Sequence, residues 1–267
     1  MQKFYLLLSL ILILTASCSE FSKIQKSDSI TQKLEAGIKY YKSKDYYKAA
    51  TLLDEVVPLL KGKAEAEDAQ YYQAMTYYDD KQYVMSAYYF KDFFETYPRS
   101  ARAEECSFLH AKSLYKDSPR HDLDQTVTEE AIQAFQSFLT RYPQSTFLDE
   151  VNKLTDELNK KIEFKEYENA KLFFNIKNYK SAVVVFNNFL DKYPESEYGD
   201  EIAYNRIMAQ FHLAKFSVEG LKKKNRFLDT IEFYQSFIDK YPNSRYKKAA
   251  ESIYDICNRF ISFQVKA

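Results

Sequence analysis

From about residue 30 onward, apolar residues recur along this chain at helical spacing. Between Ser181 and Pro194, the residues Ala182, Phe186 and Phe189 lie four and then three apart, one stripe on a helix. The same order returns at Ala131, Phe135 and Phe138, and at Thr230, Tyr234 and Phe237. A small residue (Ser86, Ala131, Ala182 or Thr230) heads each stripe and lets a neighbouring helix come close. The aromatic pair behind it fills the space between hairpins. Every stripe closes on the same four-residue pattern: Tyr97-Pro98-Arg99-Ser100, Tyr142-Pro143-Gln144-Ser145, Tyr193-Pro194-Glu195-Ser196 and Tyr241-Pro242-Asn243-Ser244. Proline ends a helix because it lacks an N–H and clashes with the preceding turn. The serine after it is expected to be the N-cap of the next helix.

The four prolines are separated by 45, 51 and 48 residues, and self-similarity of this kind marks a helical solenoid. The pattern resembles the tetratricopeptide repeat. It predicts an all-α fold, an α-α superhelix of about five such hairpins plus a C-terminal helix. The units fall at about 30–62, 64–98, 100–143, 145–194 and 196–242, with the last helix from about Ser244 to Phe260. First helices of hairpins are expected at Tyr71, Ala74 and Tyr77, and at Tyr167, Ala170 and Phe173. Gly37 reads as a helix-crossing site, which explains a glycine kept in a helix at about 1 kcal/mol of propensity. The last three units exceed the usual length of about 34 residues. The polar stretch Lys116 to Val127 predicts a long loop within the third hairpin, and Gly220 to Asn225 another in the fifth. The fourth unit lengthens its first helix instead, roughly Thr146 to Ile176.

Ahead of the repeats, Phe4 to Leu14 is an apolar run of 11 residues preceded by Lys3. A helix of that length is about 16 Å long, too short for a hydrocarbon core of about 30 Å. It reads as a signal peptide over residues 1–17. Thr15-Ala16-Ser17-Cys18 resembles the bacterial lipobox, so Cys18 is expected to carry the lipid, with 18–29 as a polar tether and 30–262 as a single repeat domain.

Composition narrows the chemistry. Only four glycines stand in the chain, none clustered, which excludes a Rossmann fingerprint or a P-loop. The 38 basic and 38 acidic residues balance, so nucleic acid is not an expected partner. Cys106 and Cys257 lack metal-ligand spacing and read as buried free thiols. His110, His121 and His212 form no HExxH or HxH pattern, and the Glu104-Glu105 and Glu129-Glu130 pairs suit helix starts. No catalytic residue, metal or cofactor is expected.

Carrying the repeat's inward positions over gives a candidate partner groove: Leu34, Ile38 and Tyr41; Tyr71, Met75, Tyr78 and Asp79; Tyr167, Lys171, Phe174 and Asn175. Tyrosine offers large amphipathic contact area at low entropy cost, which suits an extended peptide. Lys222, Lys223, Lys224 and Arg226 form a basic loop that would meet either an acidic partner or anionic headgroups.

A lipobox leader followed by four in-register closures of this type resembles the BamD family of outer-membrane protein assembly factors. The likeness rests on Cys18 and on Phe93-Phe94, Phe138-Leu139, Phe189-Leu190 and Phe237-Ile238 ahead of the Tyr-Pro-x-Ser closures, over about residues 30–262. It implies a non-catalytic lipoprotein on the periplasmic side of the outer membrane. Implied partners are the POTRA domains of BamA, other subunits of the assembly machinery, unfolded outer-membrane protein segments, and the membrane through the N-terminal lipid. The C-terminal repeats would carry the BamA contact and the N-terminal repeats the substrate. The alternative is another periplasmic repeat lipoprotein, an adaptor in an envelope or secretion complex.

Overall fold

The computed structural model describes residues 20–218 and 220–266, with side chains through 263. The signal-peptide and lipidation expectations, including Cys18, lie outside the described residues. The helices are α1 (Ile30–Lys42), α2 (Tyr46–Val56), α3 (Ala66–Asp79), α4 (Tyr83–Thr96), α5 (Ala103–Asp117) and α6 (Thr126–Arg141). They continue with α7 (Leu148–Asn175), α8 (Tyr179–Lys192), α9 (Gly199–Lys215), α10 (Leu221–Lys240) and α11 (Lys247–Lys266). A 3-10 turn, Val57–Leu60, follows α2. No strand occurs among the described residues. The fold is all-α and built of tetratricopeptide-like hairpins, as the stripes require.

The chain divides into two compact units, with the boundary between Asn159 and Lys160, inside α7. In the first, α1/α2, α3/α4 and α5/α6 are the hairpins; in the second, α9/α10 is a hairpin and α11 packs on both of its helices. Residues 20–25, expected as tether, form a short helix whose Phe21 ring lies 5.8 Å from Tyr40. An aromatic residue in a mostly polar tether found a ring to pack on.

The stripes fill the cores. Phe90, Phe93, Phe135, Phe138, Phe186, Phe189 and Phe237 are buried, as are the small residues Ser86, Ala131, Ala182 and Thr230. Tyr234 alone of the aromatic pairs stays half-buried, stacked on Tyr254 at 4.5 Å. Gly37 is a crossing site: a Cβ there would lie 3.0 Å from Leu53 Cγ. Cys106 and Cys257 are free and buried, and burial pushes both thiols up to about 12.

The serine of each closure works differently from the expectation. Helices begin three residues after it, at Ala103, Leu148, Gly199 and Lys247, so it is not the N-cap. Its Oγ instead accepts from the backbone N–H two residues on, at 3.0–3.2 Å for Ser100, Ser145, Ser196 and Ser244. Its own N–H donates to the tyrosine carbonyl three residues back. Proline forces an extended residue before it, and the tight turn that follows takes three residues to regain helical geometry. The tyrosine ring of each closure folds back on the phenylalanine four residues earlier, with centroids 5.1–5.9 Å apart.

The other hairpin corner was not anticipated. Lys44, Lys81 and Lys177 all adopt positive φ near 60°. In each case the following N–H reaches back five residues to a carbonyl of the first helix, the six-to-one bond of a Schellman ending. The signal stands in the sequence as Lys-x-Tyr at Lys44-Asp45-Tyr46, Lys81-Gln82-Tyr83 and Lys177-Asn178-Tyr179. Lysine is an unusual choice for this conformation, since the left-handed region costs an L-residue about 1 kcal/mol.

Loop expectations split. The third hairpin does carry a long loop, organised by Gln125, whose Nε2 donates to the carbonyls of Arg120 and Leu123. In the fifth unit α10 already begins at Leu221, so Lys222, Lys223, Lys224 and Arg226 are helical and do not form a loop. Gly220, at φ 115°, is the turn, and nothing after it breaks a helix before Pro242.

Candidate functional site

The candidate groove residues fall in both units, and each unit is a surface of its own. In the first, α1 and α3 bring Ile38, Tyr41, Tyr71, Met75, Tyr78 and Asp79 onto neighbouring helices, all partly exposed. Tyr41 Oη donates to Asp79 Oδ2 at 2.8 Å, and the Tyr41 ring lies 5.4 Å from Tyr72. Tyr71 Oη donates to Glu105 Oε2 at 3.2 Å, and the Arg102 guanidinium sits 4.4 Å over the Tyr71 ring while pairing with Asp68. Burial, reinforced by the carboxylates, raises the hydroxyl pKa of Tyr41 and of Tyr71. Tyr78 packs edge-on against Tyr83 and Phe90, and burial pushes its hydroxyl up to about 12. The Tyr41 and Tyr71 hydroxyls are thus held as neutral donors to carboxylates.

Leu34 does not belong to that surface. It is 6% exposed and lies in the core with Ala49, Leu53 and Val56. Its position on α1 faces the partner helix of its own hairpin, a distinction that spacing three residues from Gly37 already implied.

In the second unit, Tyr167, Lys171, Phe174 and Asn175 follow one another along α7. Tyr167 is buried and stacks on Tyr198 at 4.2 Å, so it anchors the packing of α7 on the turn before α9. Its Oη donates to Glu201 Oε1 at 3.0 Å and accepts from Lys171 Nζ at 2.7 Å. Lys171 pairs with Glu201 at 3.2 Å, and Arg245 reaches the same carboxylate at 3.4 Å. Burial alone would raise the Glu201 carboxyl, but the bonds from Lys171 and Tyr167 outweigh it and hold it below the usual range. Burial likewise opposes the Lys171 charge, and the same partners reverse it, so its pKa is raised. Phe174 is half-buried against Tyr179 and Phe186, and Asn175 is exposed.

The four basic residues of α10 are likewise not equivalent. Arg226 is turned inward, donating to the Leu213 carbonyl and to Ser217 Oγ, which ties α10 to the end of α9. Lys223 Nζ lies 5.6 Å over the Phe260 ring. Lys222 is exposed, and Lys224 is half-exposed.

A cleft of about 680 Å³ in the first unit escaped sequence reasoning. It lies between α4, α5 and α6, and is lined among others by Val84, Tyr88, His110, Glu130 and Arg141. Its signal was a pair of exposed apolar residues four apart, Val84 and Tyr88, at 64% exposure each. His110 Nδ1 lies 2.9 Å from the Ala87 carbonyl, and burial lowers its pKa.

These features define a repeat scaffold whose exposed helix faces offer tyrosines locked to carboxylates. The chain belongs to the outer membrane lipoprotein family YfiO, which matches residues 26–184 and 170–264. A curated relative from Aquifex aeolicus, the putative outer membrane protein assembly factor BamD, is 28% identical over 204 residues, 76% of this chain. The match spans 66% of that relative's length. Among solved structures, the TPR2AB domain of yeast Sti1 in complex with pHSP90 is 13% identical, with a TM-score of 0.40 over 86% of this chain and 98% of that one. The human IFIT1 dimer with m7Gppp-AAAA is 15% identical, with a TM-score of 0.30 over 88% and 57% of the respective chains.

Proposed function

We propose that this chain is a non-catalytic subunit of the β-barrel assembly machinery, held by a lipid on Cys18 at the periplasmic face of the outer membrane. It docks on the POTRA domains of BamA and gives unfolded outer-membrane protein segments an aromatic surface to rest on. The observation that carries the reading is the match of the outer membrane lipoprotein family over residues 26–264, taken with a relative named for assembly. The tyrosine faces of α1 and α3 support the partner role. Rigid amphipathic rings already fixed by carboxylates bind an extended chain with little further loss of entropy. No helix among the described residues is long and apolar enough to cross a membrane, so a lipid on Cys18 would supply the attachment.

The test is a detergent-solubilised pull-down through a C-terminal tag. A POTRA-containing barrel protein recovered in stoichiometric amount is the expected result. Its reproducible absence, with another envelope complex in its place, overturns the assembly role. Cys18→Ala is expected to release the chain from the membrane fraction.

A further inference from the structure

The turn between α9 and α10 carries apolar side chains into solvent. Phe216, Val218 and Leu221 are 71%, 88% and 79% exposed. The turn's first two residues are nonetheless held in place. The Phe216 ring lies nearly parallel to His212, 6.0 Å away, and Arg226 clamps Ser217 from α10. A second segment arrives at the same end of the unit. Phe260 of α11 packs 4.2 Å from Phe227 and under Lys223, both in the first two turns of α10. Phe263, one turn further along α11, is 77% exposed. Four large apolar side chains from two segments are therefore exposed, three at the turn into α10 and one a turn beyond Phe260, the ring that packs on α10.

The charge in the stretch around them is mainly basic. From Lys215 to Arg226 the sequence holds five basic residues and one acidic residue, Glu219. Lys215 and Lys222 are exposed, and Lys224 is half-exposed. Apolar groups exposed together at such a tip gain free energy when they are covered. A protein hot spot is built from Trp, Tyr and Arg seated in pockets. Phe, Val and Leu on a turn and a helix end, beside lysines, fit a bilayer interface instead. There the apolar groups reach the acyl boundary, while the lysine stems lie along it and the ammonium groups meet headgroup phosphates.

We propose that this end of the second unit is a membrane-docking tip. Phe216, Val218, Leu221 and Phe263 enter the interfacial layer of an anionic bilayer, and Lys215, Lys222 and Lys224 bind its phosphates. The tip is a second attachment besides the Cys18 lipid, and it turns this unit toward the membrane surface.

The chain has no tryptophan, so Val218→Trp places a single fluorophore at the tip. The lipidated full chain is reconstituted into phosphatidylcholine vesicles with and without phosphatidylglycerol, each carrying bromine-labelled acyl chains. Blue-shifted emission and bromine quenching are expected on the anionic vesicles. Both are expected to be lost in the background of Lys215→Gln, Lys222→Gln and Lys224→Gln together. Val184→Trp, at a 54% exposed site on α8, is the control and stays water-exposed. Emission typical of water on vesicle-bound protein overturns the proposal, as does equal quenching on neutral vesicles. Shielding that appears only when membrane proteins are added also overturns it, and assigns the tip to an acidic protein. Flotation of the chain with the vesicles reports the Cys18 anchor separately. A chain that does not float is read by adding excess vesicles, with the same two outcomes.

Discussion

The first unit's Tyr71–Glu105 pair and the second unit's Tyr167–Glu201 pair have the same sequence separation, 34 residues, and the same bond from hydroxyl to carboxylate. Their cations differ. Arg102 lies over the Tyr71 ring and pairs elsewhere, with Asp68. Lys171 enters the second cluster itself, bonded to Tyr167 and paired with Glu201, and Arg245 joins from the segment before α11. The apolar stripes and proline closures set where successive first helices lie, so the tyrosine and carboxylate meet in both units. The cation is not dictated by that geometry. The first cluster leaves its carboxylate with a hydrogen bond from tyrosine, and the second makes a small ion-pair network.

If stripes dictate the frame, cutting one should outweigh any change to the polar clusters. Phe138→Ala in the first unit and Phe189→Ala in the second are each expected to cost about 3–5 kcal/mol in urea denaturation, because both rings are buried in the core. A cost below about 1 kcal/mol for either would remove that ring from the frame.

The frame was readable because its signals are local and periodic: small residue, aromatic pair, Tyr-Pro-x-Ser. The Lys-x-Tyr corners were equally periodic but went unread, since lysine at positive φ runs against its own preference. Sites were harder. Tyr41, Tyr71 and Lys171 are partly exposed, whereas Leu34 and Tyr167 are turned inward. A stripe boundary one residue wide decides which side of a helix is covered. The cleft between α4, α5 and α6, and the tip formed by α9, α10 and α11, depend on helices brought together across loops, and no single stretch of sequence encodes them. Lys222 to Arg226 illustrates the same limit, where a run that looked like a loop is the start of a helix and Arg226 is spent on holding the turn.

The two close approaches made by glycine sharpen the comparison at intermediate cost. At Gly199, the first residue of α9, a Cβ would lie 2.5 Å from the Tyr241 hydroxyl, which finds no hydrogen-bond partner among the described residues. Gly199→Ala must displace the ring of a closure tyrosine and is expected to cost about 1–3 kcal/mol. Gly37→Ala presses on the Leu53 side chain at 3.0–3.1 Å and makes ordinary contact with Leu52 Cβ at 3.5 Å. Its mid-helix position returns about 1 kcal/mol of propensity, so a change near zero is expected. Thermal unfolding of the two variants checks the order. A larger loss at Gly37 would mean that the α1/α2 crossing is the less forgiving contact.

The two carboxylates separate the two clusters directly. Glu201→Gln removes a charge bonded by Tyr167 and Lys171 and is expected to cost about 1–2 kcal/mol at neutral pH, whereas Glu105→Gln weakens a single bond from Tyr71 and is expected to cost about 0.5–1 kcal/mol. Glu201 also predicts a pH signature. Its folded pKa lies below the unfolded value of about 4.3, so the unfolded chain takes up the proton first as acid is added. The contribution is whole above about pH 4.3 and is lost as pH falls through the folded value. Stability followed by thermal unfolding from neutral pH down through that window should therefore fall less steeply in Glu201→Gln than in the unaltered chain. An unchanged slope would mean that Lys171 and Arg245 do not favour the Glu201 charge, and the contrast with the first unit would reduce to the tyrosine bond that both share.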